Sequence, residues 1–78
     1  GGADWARAGL LYQALARQSR LPVFYEKMNV PDTVDGRFDL VCLHVFLVLH
    51  RLRGEGRAGA RLGQALFDQM FAAMDHAV

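Results

Sequence analysis

The chain has few of the residues that hold metals or form covalent crosslinks. Its 78 residues include a single cysteine, Cys42, and three histidines. One cysteine excludes a disulfide within the chain, and its apolar sequence neighbours predict a buried thiol that packs as a small hydrophobic group. His44 and His50 are six residues apart, so on one helix they point in different directions, whereas helical zinc sites use i, i+4 spacing. We therefore expect no metal and no cofactor.

The sequence also lacks a long hydrophobic run and a leader segment. Its longest apolar run, residues 40–49, is interrupted by His44 and is shorter than the ~20 residues that cross a bilayer. The first residues do not show a basic region followed by an apolar stretch, so no signal peptide is predicted. At the other end the pattern is still helical at Val78 and no cap follows, from which we expect a C-terminal truncation.

Charge of one sign is lacking too, and so are the usual catalytic groupings. The net charge is +1 and the arginines are interleaved with acids, whereas nucleic-acid binders carry a basic face. The hydroxyl residues Ser19 and Thr33 occupy predicted helix caps. The carboxylates Asp32, Asp35 and Asp39 are explained as caps and as helix-surface residues. The sequence therefore predicts neither direct nucleic-acid binding nor an enzyme.

What is present is helical periodicity. No alternation typical of strands persists anywhere, so we predict an all-α fold, with residues 1–78 forming one small bundle of about four helices. The predicted spans are residues 5–18, a short second helix from about Pro22 to 28–29, residues 33 or 34 to 53, and a fourth helix that begins near residues 57–61.

Capping residues set these boundaries. Asp4 is a plausible N-cap of the first helix and Ser19 of the second. Asp32 and Thr33 are alternative N-caps of the third helix, which Asp35 supports as a first-turn acid. Three glycines are predicted to form the loop that follows the third helix: Gly54, Gly56 and Gly59.

The third helix is apolar on two sides, which predicts that it is the central helix of the bundle. The four segments are too few to cover both of its sides. Its broad arc holds Val34, Phe38, Val41, Cys42, Val45, Leu49 and Leu52. Its second arc holds Leu40, Leu43 and Leu47. On the first helix, the inward positions are Trp5, Leu11 and Leu15.

Two polar seams separate these arcs. Arg37, His44 and Arg51 recur every seven residues and form the first seam. It is either a solvated edge, with His44 hydrogen-bonded to a neighbouring helix, or a recognition surface for a polar or acidic partner. The second seam holds Asp35, Asp39, His50 and Arg53. Within it, we expect Asp39 and His50 to form hydrogen bonds or salt bridges inside the bundle.

The fourth helix has a clear apolar face at i, i+4 spacing. It consists of Leu62, Leu66, Phe67, Met70, Phe71 and Met74. We interpret this face as core. The alternative is an adaptable groove built by the methionines, Met28 included, and the two phenylalanines.

Several short motifs resemble the ubiquinol–cytochrome c chaperone family. They are Pro31-Asp32-Thr33, Gly36-Arg37-Phe38, Leu43-His44-Val45-Phe46, Arg51-Leu52 and Gly54-Glu55-Gly56, with Leu11-Tyr12, Phe24-Tyr25 and Phe67-Asp68 outside the centre. The resemblance runs from Leu10 to Asp75 and is strongest for members of the bacterial type, because the chain is rich in arginine.

The resemblance implies a non-enzymatic assembly chaperone for the cytochrome bc1 complex. Such a protein binds nascent cytochrome b, together with a small partner protein and near the ribosome. It would lie in the cytoplasm at the inner membrane, or on the matrix side in a mitochondrion. The candidate partner-binding residues are Arg37, Leu40, His44, Leu47 and Arg51. The alternative is a helical interaction or dimerisation module without a chaperone role, which self-associates through open apolar faces.

Overall fold

The computed structural model describes residues 1–77, which form helices joined by short turns. The elements are α1 (Gly2–Ser19), α2 (Pro22–Glu26), α3 (Val34–Leu52), a 3-10 turn (Arg53–Glu55) and α4 (Gly56–Ala77). Residues 1–77 contain no strand, which confirms the predicted all-α class. None of these helices is long and apolar enough to cross a membrane.

Two of the predicted caps are wrong. α1 begins at Gly2 with Gly1 as its N-cap, so Asp4 lies inside the first turn, where a carboxylate favours the helix dipole. Its Oδ2 atom is 3.7 Å from Nε of Arg61 on α4, so Asp4 also forms an ion pair between the two helices. Ser19 is the last residue of α1 and its hydroxyl donates a hydrogen bond of 2.7 Å to the carbonyl of Ala16, which leaves Leu21 as the N-cap of α2.

The start of α3 is a compact local unit. Thr33 is the N-cap, and its Oγ1 accepts a hydrogen bond of 3.0 Å from the backbone N–H of Gly36. Asp32, the alternative cap, instead accepts a 2.7 Å hydrogen bond from Nε of Arg37. Gly36 is buried, and a Cβ at this position would overlap the carbonyl oxygen of Pro31. The cap bond from Gly36 to Thr33 and the ion pair between Arg37 and Asp32 thus both connect the Pro-Asp-Thr turn to the first turn of α3.

The connection between α3 and α4 is shorter than the predicted glycine loop. α4 begins at Gly56, whose φ of 67° is a left-handed conformation that glycine adopts at little cost. Gly59 is not in a loop: it lies buried in α4, where a Cβ would overlap the carbonyl oxygen of Leu52. The absence of a side chain at Gly59 lets the start of α4 approach the end of α3 closely.

The three long helices pack on one another around a single core. The buried cluster consists of Ala8 from α1, Val45 from α3, and Ala65, Leu66 and Met70 from α4. Partly buried residues complete it: Leu11, Tyr12, Leu15, Val41, Cys42, Val48, Leu49, Leu62 and Met74. Leu11, Leu15 and Cys42 pack against the core as predicted, although Cys42 is only partly buried.

α3 is not surrounded on all sides, as the predicted central helix would be. Its broad arc packs toward α1 and α4 in the middle, but Val34 at its N-terminus is 80% exposed and Phe38 is also exposed. Both belong to the broad arc that the sequence predicts, and both lie in the first turns of α3, away from the buried cluster. Trp5, predicted to point inward on α1, is likewise exposed.

α4 follows the predicted pattern in four of its six apolar positions. Leu62, Leu66, Met70 and Met74 belong to the core or pack against it. Phe67 and Phe71 are exposed and pack edge-to-face on each other with 4.7 Å between ring centroids. They lie beside the single apolar stripe that α4 buries against the other helices. The methionines and phenylalanines thus do not line one common groove.

Candidate partner-binding surface on α3

The side of α3 that faces away from the core is apolar and exposed. Leu43 is 52% exposed, Phe46 is 66% exposed and Leu47 is 63% exposed. Single exposed apolar residues are common on proteins, whereas a contiguous group of large ones marks an interaction surface. We call these three residues the outer surface of α3. They include Leu43 and Leu47 of the predicted second arc, with Phe46 added and with the buried Leu40 left out.

A hollow adjoins the outer surface at the N-terminal half of α3. It has a volume of about 460 Å³ and lies between α3 and the connection from α2. Its lining residues are Met28, Asn29, Val30, Pro31, Thr33, Asp35, Gly36, Asp39, Leu40 and Leu43. Leu43 belongs to both features, so the hollow and the outer surface are continuous. Two carboxylates, of Asp35 and Asp39, stand at this end.

The five candidate residues from the sequence share one side of α3, and they are spaced alternately by three and four residues: Arg37, Leu40, His44, Leu47 and Arg51. We call them the predicted row. Leu47 is well exposed, whereas Leu40 is only 7% exposed and lies beneath the hollow. Leu40 thus supports the surface, and Leu47 is the apolar member of the row that a partner can reach.

The two arginines of the predicted row lie in solvent-exposed ion pairs. Arg37 pairs with Asp32 at 2.7 Å, and Arg51 pairs with Glu55 one helical turn further on. The Asp32 carboxylate raises the pKa of the Arg37 guanidinium above its usual value, chiefly by the hydrogen bond. Because such exposed pairs contribute little to stability, either arginine can exchange its partner for another anionic or polar group.

His44 is the polar member of the row that is held in place. Its Nδ1 lies 2.8 Å from the carbonyl oxygen of Leu40. Since a carbonyl only accepts, Nδ1 carries the proton in this bond. The ring also packs edge-on against Phe24 of α2, with centroids 5.4 Å apart. The expected hydrogen bond to a neighbouring helix is thus wrong: the bond stays within α3, and the contact with α2 is aromatic.

The second seam is solvated, contrary to expectation. Asp39 and His50 are both exposed, and among residues 1–77 neither forms a hydrogen bond or an ion pair. They lie on the side of α3 that no other helix covers, where bulk water satisfies them.

Burial, with a smaller effect of the Asp39 charge, raises the pKa of the Cys42 thiol, which keeps it protonated near neutral pH.

Phe46 and the contact between Phe24 and His44 are the features that sequence reasoning missed. Phe46 follows Leu43 at a spacing of three, and this spacing is the signal that could have placed it on the second arc. The Phe24 contact joins residues 20 positions apart through the α2–α3 connection, for which helical periodicity carries no signal. Within residues 1–77, no three His, Cys, Asp or Glu side chains are grouped to hold a metal ion.

Comparisons with known proteins match the part of the chain that carries this surface. The sequence profile of a family described as ubiquinol-cytochrome C chaperone matches residues 26–78, which is more than half of the chain. The ubiquinol-cytochrome-c reductase complex assembly factor 1 of Xenopus laevis is 38% identical over 48 residues, which are 62% of this chain and 24% of that protein. The chain therefore spans about a quarter of the length of this relative. No solved structure matches it significantly.

Proposed function

Because this chain belongs to the ubiquinol–cytochrome c chaperone family, we propose that it is an assembly chaperone for the cytochrome bc1 complex. It acts by holding newly made cytochrome b, or a partner factor, on the outer surface of α3. The observation that carries the proposal is the uncovered strip of Leu43, Phe46 and Leu47 within the residues that match the family. The name of the Xenopus relative, a reductase complex assembly factor, supports the same process.

The chemistry of the surface suits such a client. A membrane protein that has not yet assembled exposes apolar helices, and an apolar helix face can receive one in the helix-in-groove manner. Burying large side chains such as Phe46 and Leu47 provides the driving force, at ~25 cal/mol for each Å² of apolar area removed from water. The hollow beside Leu43 offers space for a client side chain to anchor.

The predicted row supplies the polar rim of this contact. The guanidinium groups of Arg37 and Arg51 stand at either end of the row and are largely exposed. A guanidinium presents several donors to carboxylate and carbonyl groups of a client loop. Held by Leu40 and Phe24, His44 places a fixed ring between them. The row therefore gives orientation, while the outer surface gives affinity.

Place and partners follow from the process. An assembly factor for a membrane complex works where that complex is inserted, so we assign this protein to the periphery of the inner membrane. In a bacterium this is the cytoplasmic side, and in a mitochondrion it is the matrix side. A small partner protein and the ribosome are the further partners of this proposal. The chain itself acts by binding, without catalysis, a bound cofactor or direct contact with nucleic acid.

The test is capture of cytochrome b by the intact protein from native membranes. Leu47→Asp and Arg51→Ala change exposed members of the predicted row, so we expect an unchanged helical signal and about tenfold less cytochrome b recovered. Leu10→Asp on α1 and Arg57→Ala on α4 are matched controls of the same residue types, both exposed. These controls should recover as much cytochrome b as the wild type.

A double variant separates a binding role from a structural one. His44→Ala with Arg51→Ala should lower the recovery of client while the circular dichroism spectrum stays helical. If the double variant unfolds, the two residues are structural and their assignment to the rim fails. If Leu47→Asp and Arg51→Ala both recover cytochrome b like the wild type, the proposed binding surface is wrong.

A further inference from the structure

A second row of residues runs along α3 beside the predicted row. It consists of Asp39, Leu43, Phe46, His50 and Arg53, again with alternating spacings of four and three. This is the heptad pattern by which one helix packs along another. All five residues are exposed, and no helix in residues 1–77 covers them. The row can therefore pack against a helix of another molecule.

The order of charges in this row is its unusual property. The acid Asp39 lies at the N-terminal end, the apolar pair Leu43 and Phe46 lies in the middle, and the bases His50 and Arg53 lie at the C-terminal end. The spacing of the row from Asp39 to His50 is the same in both chain directions, because Asp39 and Leu43 are separated by as many residues as Phe46 and His50. Two copies laid antiparallel therefore place Asp39 opposite His50, and Leu43 opposite Phe46.

We propose that the second row binds a second copy of this chain, with the two α3 helices antiparallel about a two-fold axis. Symmetry makes each complementary pair occur twice, which is the property of an isologous interface. A parallel arrangement would instead place Asp39 against Asp39, and like charges that face each other disfavour association. The charge order thus selects both the occupant and its direction.

The hollow at the N-terminal half of α3 fits the same arrangement. Arg53 of one copy is brought to the level of Gly36 of the other, beside the carboxylates of Asp35 and Asp39 that line the hollow. A long cationic side chain can enter there and pair with either acid. The dimer and the proposed client contact share Leu43 and Phe46, whereas Leu47 and Arg51 belong to the client contact alone. The dimer goes beyond the proposed function because it requires no client.

Sedimentation of the intact protein over a range of concentrations tests this inference, with no client present. We expect a mass that rises from one copy to two, and at least a tenfold weaker dimer for Phe46→Asp. Leu10→Asp is the matched control, because Leu10 is 70% exposed but lies on α1. It should dimerise like the wild type. Circular dichroism checks that each variant is folded.

A charge exchange tests the antiparallel direction. His50→Glu alone places two carboxylates opposite one another, and Asp39→Lys alone replaces the acid opposite His50 with a second basic group, so each should weaken the dimer. The two together place a lysine opposite a glutamate in both pairs and should return the affinity toward that of the wild type. A mass of one copy at every concentration would overturn the proposal, and so would a double variant no tighter than either single one. Since cytochrome b capture is measured separately, either proposal can fail alone.

Discussion

Two glycines of this chain are required by a neighbouring carbonyl group. Gly36 lies against the carbonyl of Pro31, and Gly59 lies against the carbonyl of Leu52. Neither has a positive φ, since Gly56 alone among the described glycines does. The need is therefore for space, and a methyl group in either place would push two backbone segments apart.

Alanine at these positions should destabilise the protein. For Gly36→Ala and Gly59→Ala we expect losses of about 1–3 kcal/mol in the free energy of unfolding, as for overpacking in a core. Gly54→Ala is the matched control, because its Cβ would meet nothing nearer than Nη1 of Arg51 at 4.0 Å. Urea unfolding measures all three. If Gly54→Ala is as destabilising as Gly36→Ala, the losses come from replacing glycine in general and not from close packing against a carbonyl group.

At the residue scale, the sequence predicts which residues can cap a helix or allow a close approach, but not which of these roles each residue takes. Thr33 and Asp32 were both possible caps, and only the three-dimensional path of the chain gives the cap to Thr33 and the ion pair with Arg37 to Asp32. The sequence predicts a loop at Gly59, because a glycine-rich stretch has the same composition in a loop and in a tight helix crossing. Such choices depend on contacts between segments, which local propensity does not encode.

At the scale of the element, α3 is the helix whose bounds the sequence predicts most accurately. Its start is fixed by Thr33, and the predicted range of residues 33–53 agrees with the observed Val34–Leu52. Its two apolar arcs are real, but α1 and α4 pack only on the middle of the broad arc, and Leu40 alone is buried on the second arc. Periodicity gave the arcs because both repeat with the helical turn. It did not show which arc faces α1 and α4.

Thr33 and Arg37 provide a prediction about the start of α3. Thr33→Ala removes the side chain that caps Gly36 and should cost about 1 kcal/mol of stability. Arg37→Ala removes an exposed ion pair and should leave the urea midpoint nearly unchanged, while cytochrome b capture falls. Thermal and urea unfolding measure the first effect. Equal destabilisation by both changes would show that Arg37 is part of the cap and not part of the rim.

At the scale of the whole molecule, three long helices share a small core. Leu66 and Ala8 are wholly buried and Val45 is nearly so, and together they join all three helices. A chain of this length has little stability to spare. The outer surface of α3 nevertheless leaves three large apolar side chains in water, which a fold selected for stability alone would not require.

The same leucine-to-alanine substitution should lower the stability strongly in the core and hardly at all on the outer surface. Leu66→Ala creates a cavity where the three helices meet and should cost about 2–5 kcal/mol, enough to unfold much of the protein. Leu47→Ala removes a side chain that is mostly in water and should change stability by less than about 0.5 kcal/mol. Urea unfolding distinguishes them. A large loss for Leu47→Ala would mean that the outer surface is packed in solution.

The α4 face shows why the sequence could not give the whole arrangement. Phe67 and Phe71 follow the helical pattern as well as Leu66 and Met70 do, yet they lie outside the core. Each lies one position after a core residue, ~100° around the helix, on a side of α4 that α1 and α3 leave exposed. Periodicity counts apolar positions on each helix, while the number of neighbours available to cover them is a property of the assembled fold.

The claim that the outer surface of α3 holds an assembly client is tested most directly by site-specific photocrosslinking in the intact protein. A photoreactive phenylalanine analogue replaces Leu47 on the outer surface or, as a control, the similarly exposed Leu10 on α1. In cells that are assembling the bc1 complex, position 47 should crosslink to cytochrome b or to a partner factor, and position 10 should not. Equal crosslinking from both positions, or a product from position 47 that contains only a second copy of this chain, would contradict the account.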